Sequence, residues 1–278
     1  MIILLKPFEL AWRGVNRVRR ALYRRGILKS KRLPRPVISV GNLAAGGAGK
    51  TPAVITIARY LEKRGFRVAI LTRGYGRAGN VSGVVTSLDA ATFGDEPVLL
   101  KSKLKDVDII VGSKRYQNAT QFLNSNECDL FILDDGFQHL QLARDVDVVI
   151  DTATGIMREG RSALRDADFV IQRRLRLAIP GELTGRRVFA FAGLADNEQF
   201  FASLRANGLS VVGTRSFRDH HRYTASDIAA IKKDAGADAI VTTEKDAVKI
   251  DDRDIIAIAA EMIIEPEILE KISGLVAQ

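Results

Sequence analysis

Leu4, Leu5, Phe8, Ala11, Trp12, Val15, Val18 and Leu22 recur every three or four residues, so the chain opens on a predicted amphipathic helix. Arg13, Arg17, Arg20 and Arg24 keep the same spacing on a second stripe. From Pro36 onward the pattern changes. Short β-rich runs at 37–40, 67–72, 108–112, 129–133, 146–150, 169–172, 188–192, 210–213 and 239–242 alternate with helical stretches at 51–63, 96–104, 115–124, 198–207 and 226–234. That order predicts a mostly parallel α/β sheet. Several runs are almost wholly aliphatic, as strands covered on both faces should be. The segment 173–187, with Pro180, Gly181, Gly185 and five arginines, is the best place to divide the chain. The expected organisation is an arm over 1–35, a larger α/β domain over 36–180 and a smaller α/β domain over 181–278.

Charge singles out the arm. Of 42 basic and 33 acidic residues, eleven and one lie within 1–35, which leaves 31 against 32 for the body. A nucleic-acid binder spreads positive charge over a folded face, so this asymmetry argues against that class. No apolar run approaches the roughly 18–20 residues that span a bilayer, and no small-residue cleavage site follows the first apolar residues. Two readings of the arm stay open: a helix lying in a membrane surface with its arginines on anionic head groups, or one packed on its own domain with a solvated basic face. The single cysteine, Cys128, excludes an intrachain disulfide and a thiolate metal cluster and fits a reducing compartment.

The run from Val37 to Pro52 reads as a strand, a Gly/Ala loop and a helix start. Gly49-Lys50-Thr51 ends it as a phosphate-binding loop ends, although Ala44 stands where the first glycine of that pattern belongs. Gly46 and Gly47 still let backbone N–H groups wrap a phosphate, and the positive end of the following helix faces the same anion. Ala44, Ala45, Gly46, Gly47, Ala48, Gly49, Lys50 and Thr51 are therefore the candidate nucleotide-binding residues. Lys50 would neutralise the β- and γ-phosphates and the Thr51 hydroxyl would ligate Mg²⁺.

Phosphoryl transfer also needs a metal-side carboxylate and a group to position the attacking hydroxyl. The apolar run from Asp129 ends in Asp134-Asp135, where open α/β sheets place their ligands, so either acid suits the metal side. Gly94-Asp95-Glu96-Pro97 puts two acids at a predicted helix start, and Asp95 reads equally as a cap or as a general base. Arg73-Gly74-Tyr75-Gly76-Arg77 offers two cations on glycine-rich backbone. His220 and His221 are adjacent, so their side chains diverge; with no cysteine or third histidine nearby, zinc is not expected.

Taken in order, these pieces resemble the tetraacyldisaccharide 4'-kinases, the lipid A 4'-kinases of Gram-negative bacteria. The resemblance runs over nearly the whole chain, from Ser39-Val40-Gly41-Asn42 and the phosphate loop through Gly94-Asp95-Glu96-Pro97, Asp134-Asp135-Gly136-Phe137-Gln138-His139, Arg158-Glu159 and Asp219-His220 to Thr243-Glu244-Lys245-Asp246-Ala247-Val248-Lys249. It implies a two-lobed P-loop kinase with an N-terminal amphipathic helix. Such an enzyme moves the ATP γ-phosphate, with Mg²⁺, to the 4'-hydroxyl of an acylated disaccharide 1-phosphate. It works on the cytoplasmic face of the inner membrane, and a monomer is expected. By the same resemblance Asp95 is the base, His220 orients it, and Lys50 completes the catalytic set. Asp134, Asp135, Glu96 and Thr51 fall on the metal side, and Gln138 on the phosphate side. The chain departs from the family at Ala44 and Ala48, where a hydroxyl is usual, and is short around 155–161. An alternative is a P-loop switch ATPase or GTPase of the partitioning or metallochaperone kind, whose early signature lysine is here Ala45. A basic binding module that only borrows the fold is a third.

Overall fold

The structure is a computed structural model, and it describes residues 6–45, 49–74, 77, 81–152 and 156–277. Gly46, Gly47, Ala48, Tyr75 and Gly76 lie outside the described residues.

The arm forms helix α1 (Lys6–Arg24). Then come β1 (Val37–Asn42), β2 (Ala44–Ala45), α2 (Lys50–Lys63), β3 (Val68–Thr72), β4 (Gly83–Val84), α3 (Ala90–Phe93), α4 (Asp95–Lys103), β5 (Asp108–Val111), α5 (Arg115–Leu123) and β6 (Leu130–Asp134). β7 (Val146–Asp151), β8 (Ile156–Met157), β9 (Phe169–Gln172), β10 (Leu175–Ala178), β11 (Arg187–Ala192), α6 (Asn197–Ala206) and β12 (Ser210–Ser216) follow. The chain closes with α7 (Ala225–Ala235), β13 (Ala239–Thr243), α8 (Glu244–Ala247), β14 (Ile255–Met262) and α9 (Pro266–Val276).

The first sheet runs β4-β5-β3-β6-β1-β7-β9, parallel throughout except for the short edge strand β4. Its strands alternate strictly. Ile38, Val40, Ile70, Ile132 and Val148 face α2, α4 and α9, whereas Val37, Ala69, Leu71, Phe131 and Leu133 face α5. Both faces are thus covered, the condition under which all-aliphatic strands form. The second sheet runs β10-β14-β13-β11-β12, with only the edge strand β10 antiparallel.

The crossing between lobes differs from the expected 180/181 division. β10, from within the arginine-rich segment, already belongs to the second sheet. After β14 the chain returns: Leu269, Ile272 and Val276 of α9 sit in the core of the first sheet. The last helix therefore straps the smaller lobe to the larger one. Cys128 is buried, which pushes its thiol up to about 12 and leaves it inert.

α1 is not packed as an amphipathic helix with its apolar stripe on its own domain and a wholly solvated basic face. Asn16 and Arg20 are buried against the body, while Trp12, Val15 and Val18 are 59%, 60% and 61% exposed. The helix packs by its polar side and shows its apolar side outward. The arginine stripe is accordingly split, with Arg20 inside and Arg17 outside.

Candidate active site

Strand β1 lies between β6 and β7 in the middle of the first sheet, and the chain leaves its C-terminal end into the Gly/Ala loop. Gly49 then starts α2 in the left-handed conformation, at φ 79°. No side chain caps this helix and no acid occupies its first turn. Its leading N–H groups and positive end are thus left for an anion, as in phosphate-binding loops. Lys50 and Thr51 are its first two residues.

The neighbouring strand places the acids. Val40 is in register with Asp134, so β6 delivers its last residue beside the end of β1. Asp134 is buried and accepts from the Thr72 hydroxyl at 2.9 Å. Burial, then the charges of Glu96 and Asp135, push its carboxyl up to about 7. Asp135 follows at φ 50°, a strained conformation for a non-glycine residue. Burial would raise it too, but the Lys50 ammonium at 3.5 Å and the Arg158 guanidinium at 3.0 Å hold it below the usual carboxylate range. Two adjacent acids are thereby driven apart: Asp135 is spoken for, and Asp134 is crowded by negative charge.

The rest of that loop is built against β1. A Cβ on Gly41 would come within 2.5 Å of Phe137 Cβ, so the close approach requires glycine. Gln138 donates from Nε2 to the Asn42 carbonyl at 2.8 Å, and its buried Oε1 has no hydrogen-bond partner among the described residues. Asn42 also holds Lys50, through Oδ1 at 3.4 Å. The His139 ring accepts at Nδ1 from Arg115 at 3.3 Å. Burial and the charges of Arg115 and Arg73 push it down to about 3, so it is neutral.

Asp95 and His220 meet across the two lobes. Asp95 is the first residue of α4, but the cap position is Gly94 and no side chain caps the helix. The cap reading is therefore excluded. The carboxylate instead lies 3.0 Å from His220 Nδ1 and 3.6 Å from Lys249 Nζ. Burial raises its pKa, and the His220 hydrogen bond and Lys249 charge outweigh that, leaving it below the usual value. On the far side of the ring, Lys245 Nζ is 3.2 Å from Nε2. An ammonium only donates, so Nε2 accepts, and Nδ1–H is the atom that donates to Asp95.

One short segment after β13 supplies both lysines. Thr243 caps α8, and buried Asp246 accepts from Thr243 Oγ1, Gly193 N and Lys249 Nζ at 2.7–2.9 Å. Glu96 links the two clusters, since its carboxylate is 4.0 Å from Lys245 while its charge raises Asp134. His221, by contrast, stacks on Phe217 and pairs with Asp227 in the capping box of α7. Asp95 and His220 line a cavity of about 590 Å³ with Val98, Tyr223, Lys249 and Leu88.

Sequence reasoning missed Arg158, Lys245 and Lys249 as site residues. The signal for Arg158 is its antiparallel neighbour: β2 pairs with β8, and Arg158 N donates to the Leu43 carbonyl at 2.7 Å.

The family model described as tetraacyldisaccharide-1-P 4'-kinase matches residues 1–182 and 172–277. The tetraacyldisaccharide 4'-kinase of Pelobacter propionicus is 40% identical, over 90% of this chain and 83% of that protein. That of Geobacter metallireducens is 39% identical, over 90% and 88%. Among solved structures, LpxK from Aquifex aeolicus, crystallised in complex with ATP, superposes with a TM-score of 0.80 at 30% identity, covering 100% of this chain and 99% of that one.

Proposed function

This chain belongs to the tetraacyldisaccharide-1-P 4'-kinase family, and from that premise we propose that it transfers the ATP γ-phosphate to the 4'-hydroxyl of an acylated disaccharide 1-phosphate. The observation that carries the reading is the convergence of two clusters on one side of the first sheet. Lys50 starts α2, Asp134 ends β6 and Asp135 follows it, and Asp95 meets His220 of the second lobe 3.0 Å away. Supporting residues for the phosphates are the backbone from Ala44 to Gly49, Lys50, Thr51, Gln138 and Arg158.

In this mechanism Asp95 takes the proton of the 4'-hydroxyl as that oxygen attacks the γ-phosphorus, the bond to the β-phosphate oxygen breaks, and ADP leaves. The loose transition state spreads charge over the equatorial phosphoryl oxygens and builds it on the leaving β-phosphate oxygen, so Lys50 and the N–H groups at the start of α2 do most of the stabilising. His220 fixes the direction of the carboxylate from Nδ1–H, and Lys245 holds the ring in that tautomer. Mg²⁺ is the ion that fits the metal side: Thr51 and Asp134 are hard oxygen donors, and Asp134 carries a charge that its acidic neighbours disfavour. Bound there, Mg²⁺ would neutralise phosphate oxygens. Glu96 and Asp135 would act around it, Asp135 through its hold on Lys50 and Arg158. Both members of the Asp95–His220 pair come from one chain, so a monomer suffices.

The test is transfer of label from γ-labelled ATP to the disaccharide acceptor. Labelled lipid should form in step with ADP. Acceptor-independent hydrolysis without labelled lipid would favour the switch ATPase reading, and no turnover would favour the binding module.

The outward apolar face of α1 supports seating at a membrane surface, which we place at the cytoplasmic face of the inner membrane. Among the described residues no helix is long and apolar enough to cross one. Replacing Trp12, Val15 and Val18 together by serine should lower co-sedimentation with anionic vesicles by about tenfold or more. Unchanged co-sedimentation would refute this use of the face.

A further inference from the structure

Arg20 is the buried cation of a helix whose neighbouring face is proposed to touch lipid, and its partners are the walls of the phosphate site. Nε and Nη2 donate to the two Glu159 oxygens at 2.8 and 2.9 Å, Nη2 also donates to the Phe137 carbonyl at 3.1 Å, and Nη1 lies 3.3 Å from Asp166. The guanidinium stacks 4.3 Å from the Phe137 ring centroid. On the same helix Asn16 donates to the Arg158 carbonyl at 2.9 Å, and Arg19 to the Gln138 carbonyl at 3.1 Å. α1 therefore grips two loops: the one that carries Asp135 and Gln138, and the one that carries Arg158.

Those loops meet at the phosphate end of the site. Arg158 straddles both Asp135 oxygens at 3.0 and 3.1 Å, and the same carboxylate is 3.5 Å from Lys50. Asp135 stays in its strained backbone conformation only while its surroundings over-determine it. An arginine placed on a surface helix for solubility or lipid contact would point outward. Desolvating this one on a buried glutamate is costly unless the geometry it fixes has a use.

We propose that Arg20, assisted by Asn16, is a positioning residue of the phosphate site, setting Arg158 on Asp135 through Glu159 and Phe137. The arm then belongs to the catalytic apparatus as well as to the membrane-facing surface. This rests on the kinase reading above, and wild-type turnover tests that reading separately from the comparison of variants.

The experiment uses the full chain, detergent-dispersed acceptor and a cycle of Arg20→Met, Arg158→Ala and the double variant. Detergent removes vesicle binding as a limit on rate. Arg20→Met should lower kcat by about 10–100-fold, the scale of a misplaced catalytic contact, while co-sedimentation with anionic vesicles stays at the wild-type level. The double variant should be about as slow as Arg158→Ala alone, because Arg20 acts through Arg158. Losses that multiply, an unchanged kcat, or a loss matched by lost vesicle binding would each overturn the proposal. If Arg20→Met does not fold, Asn16→Ala leaves no buried charge behind. Its few-fold loss of kcat should vanish in the Arg158→Ala background, and persistence there would overturn the proposal equally.

Discussion

Lys50→Ala is expected to cut transfer of the γ-phosphate by about a thousandfold, the upper range for removing one preorganised charge from a transition state. Lys50 is the cation at the start of α2, where no side chain competes for the leading N–H groups. Its protein contacts are long, 3.4 Å to Asn42 Oδ1 and 3.5 Å to Asp135 Oδ1, so they orient the ammonium without exhausting its three donors. Phosphate oxygens are the natural recipients. The fold should survive, since alanine suits the first position of a helix at least as well as lysine, and Asp135 keeps Arg158. Steady-state transfer with labelled ATP, beside a thermal melt, checks both halves. A near wild-type rate in a folded variant would remove the loop from the mechanism.

Much of the larger lobe was legible in the sequence because its strands are covered on both faces and therefore aliphatic. The strand and helix that flank the candidate phosphate loop were legible because strand, glycines, lysine and helix start occur within sixteen residues. What stayed hidden has local causes. β10 alternates leucine inward with arginine outward as an edge strand, and the charge run masked that alternation. β14 alternates between isoleucine and alanine without a polar face and follows directly on the charged stretch 251–254, so its period and its start did not stand out. α9 begins on Pro266, whose place at the first helical turn reads from sequence as a break.

The candidate site could be read residue by residue but not as an assembly. Asp134 and Asp135 are interchangeable in sequence; register with β1 and the strained φ of Asp135 separate their roles. His220 and His221 are likewise neighbours of one type, and only the fold sends one to Asp95 and the other to a helix cap. Lys249 lies on Asp95 across 154 positions, a distance at which no local pattern exists. The arm had two readings by pattern, and both assumed that its arginines face away from the body. Arg20 reverses that assumption, because a buried glutamate from β8's neighbourhood was invisible to a helical wheel.

Asp95→Asn should lower kcat by about 10²–10⁴-fold with little change in the KM for ATP, the range expected when a general base is lost. The amide still accepts from His220 Nδ1–H, so the interlobe contact persists while the proton acceptor does not. His220→Ala should cost less, about 10–100-fold, because it only aims the carboxylate. The pair Asp95→Asn/His220→Ala should then be no slower than Asp95→Asn alone, and multiplied losses would assign His220 a separate role. The pH dependence has a definite sign. Lys249 and His220 hold Asp95 below its ordinary value despite burial, so the base is ionised across the neutral range. Its contribution to the acid limb of kcat therefore lies below about pH 4. Stability follows the same group: a depressed carboxylate stabilises the fold above its unfolded pKa and loses that contribution as pH falls through the folded one. The melting difference between wild type and Asp95→Asn should thus be full at pH 7 and shrink below about pH 4. If kcat of the asparagine variant were close to wild type while its melting point fell sharply, Asp95 would be an interlobe tie and the base would have to be sought elsewhere on the cavity wall.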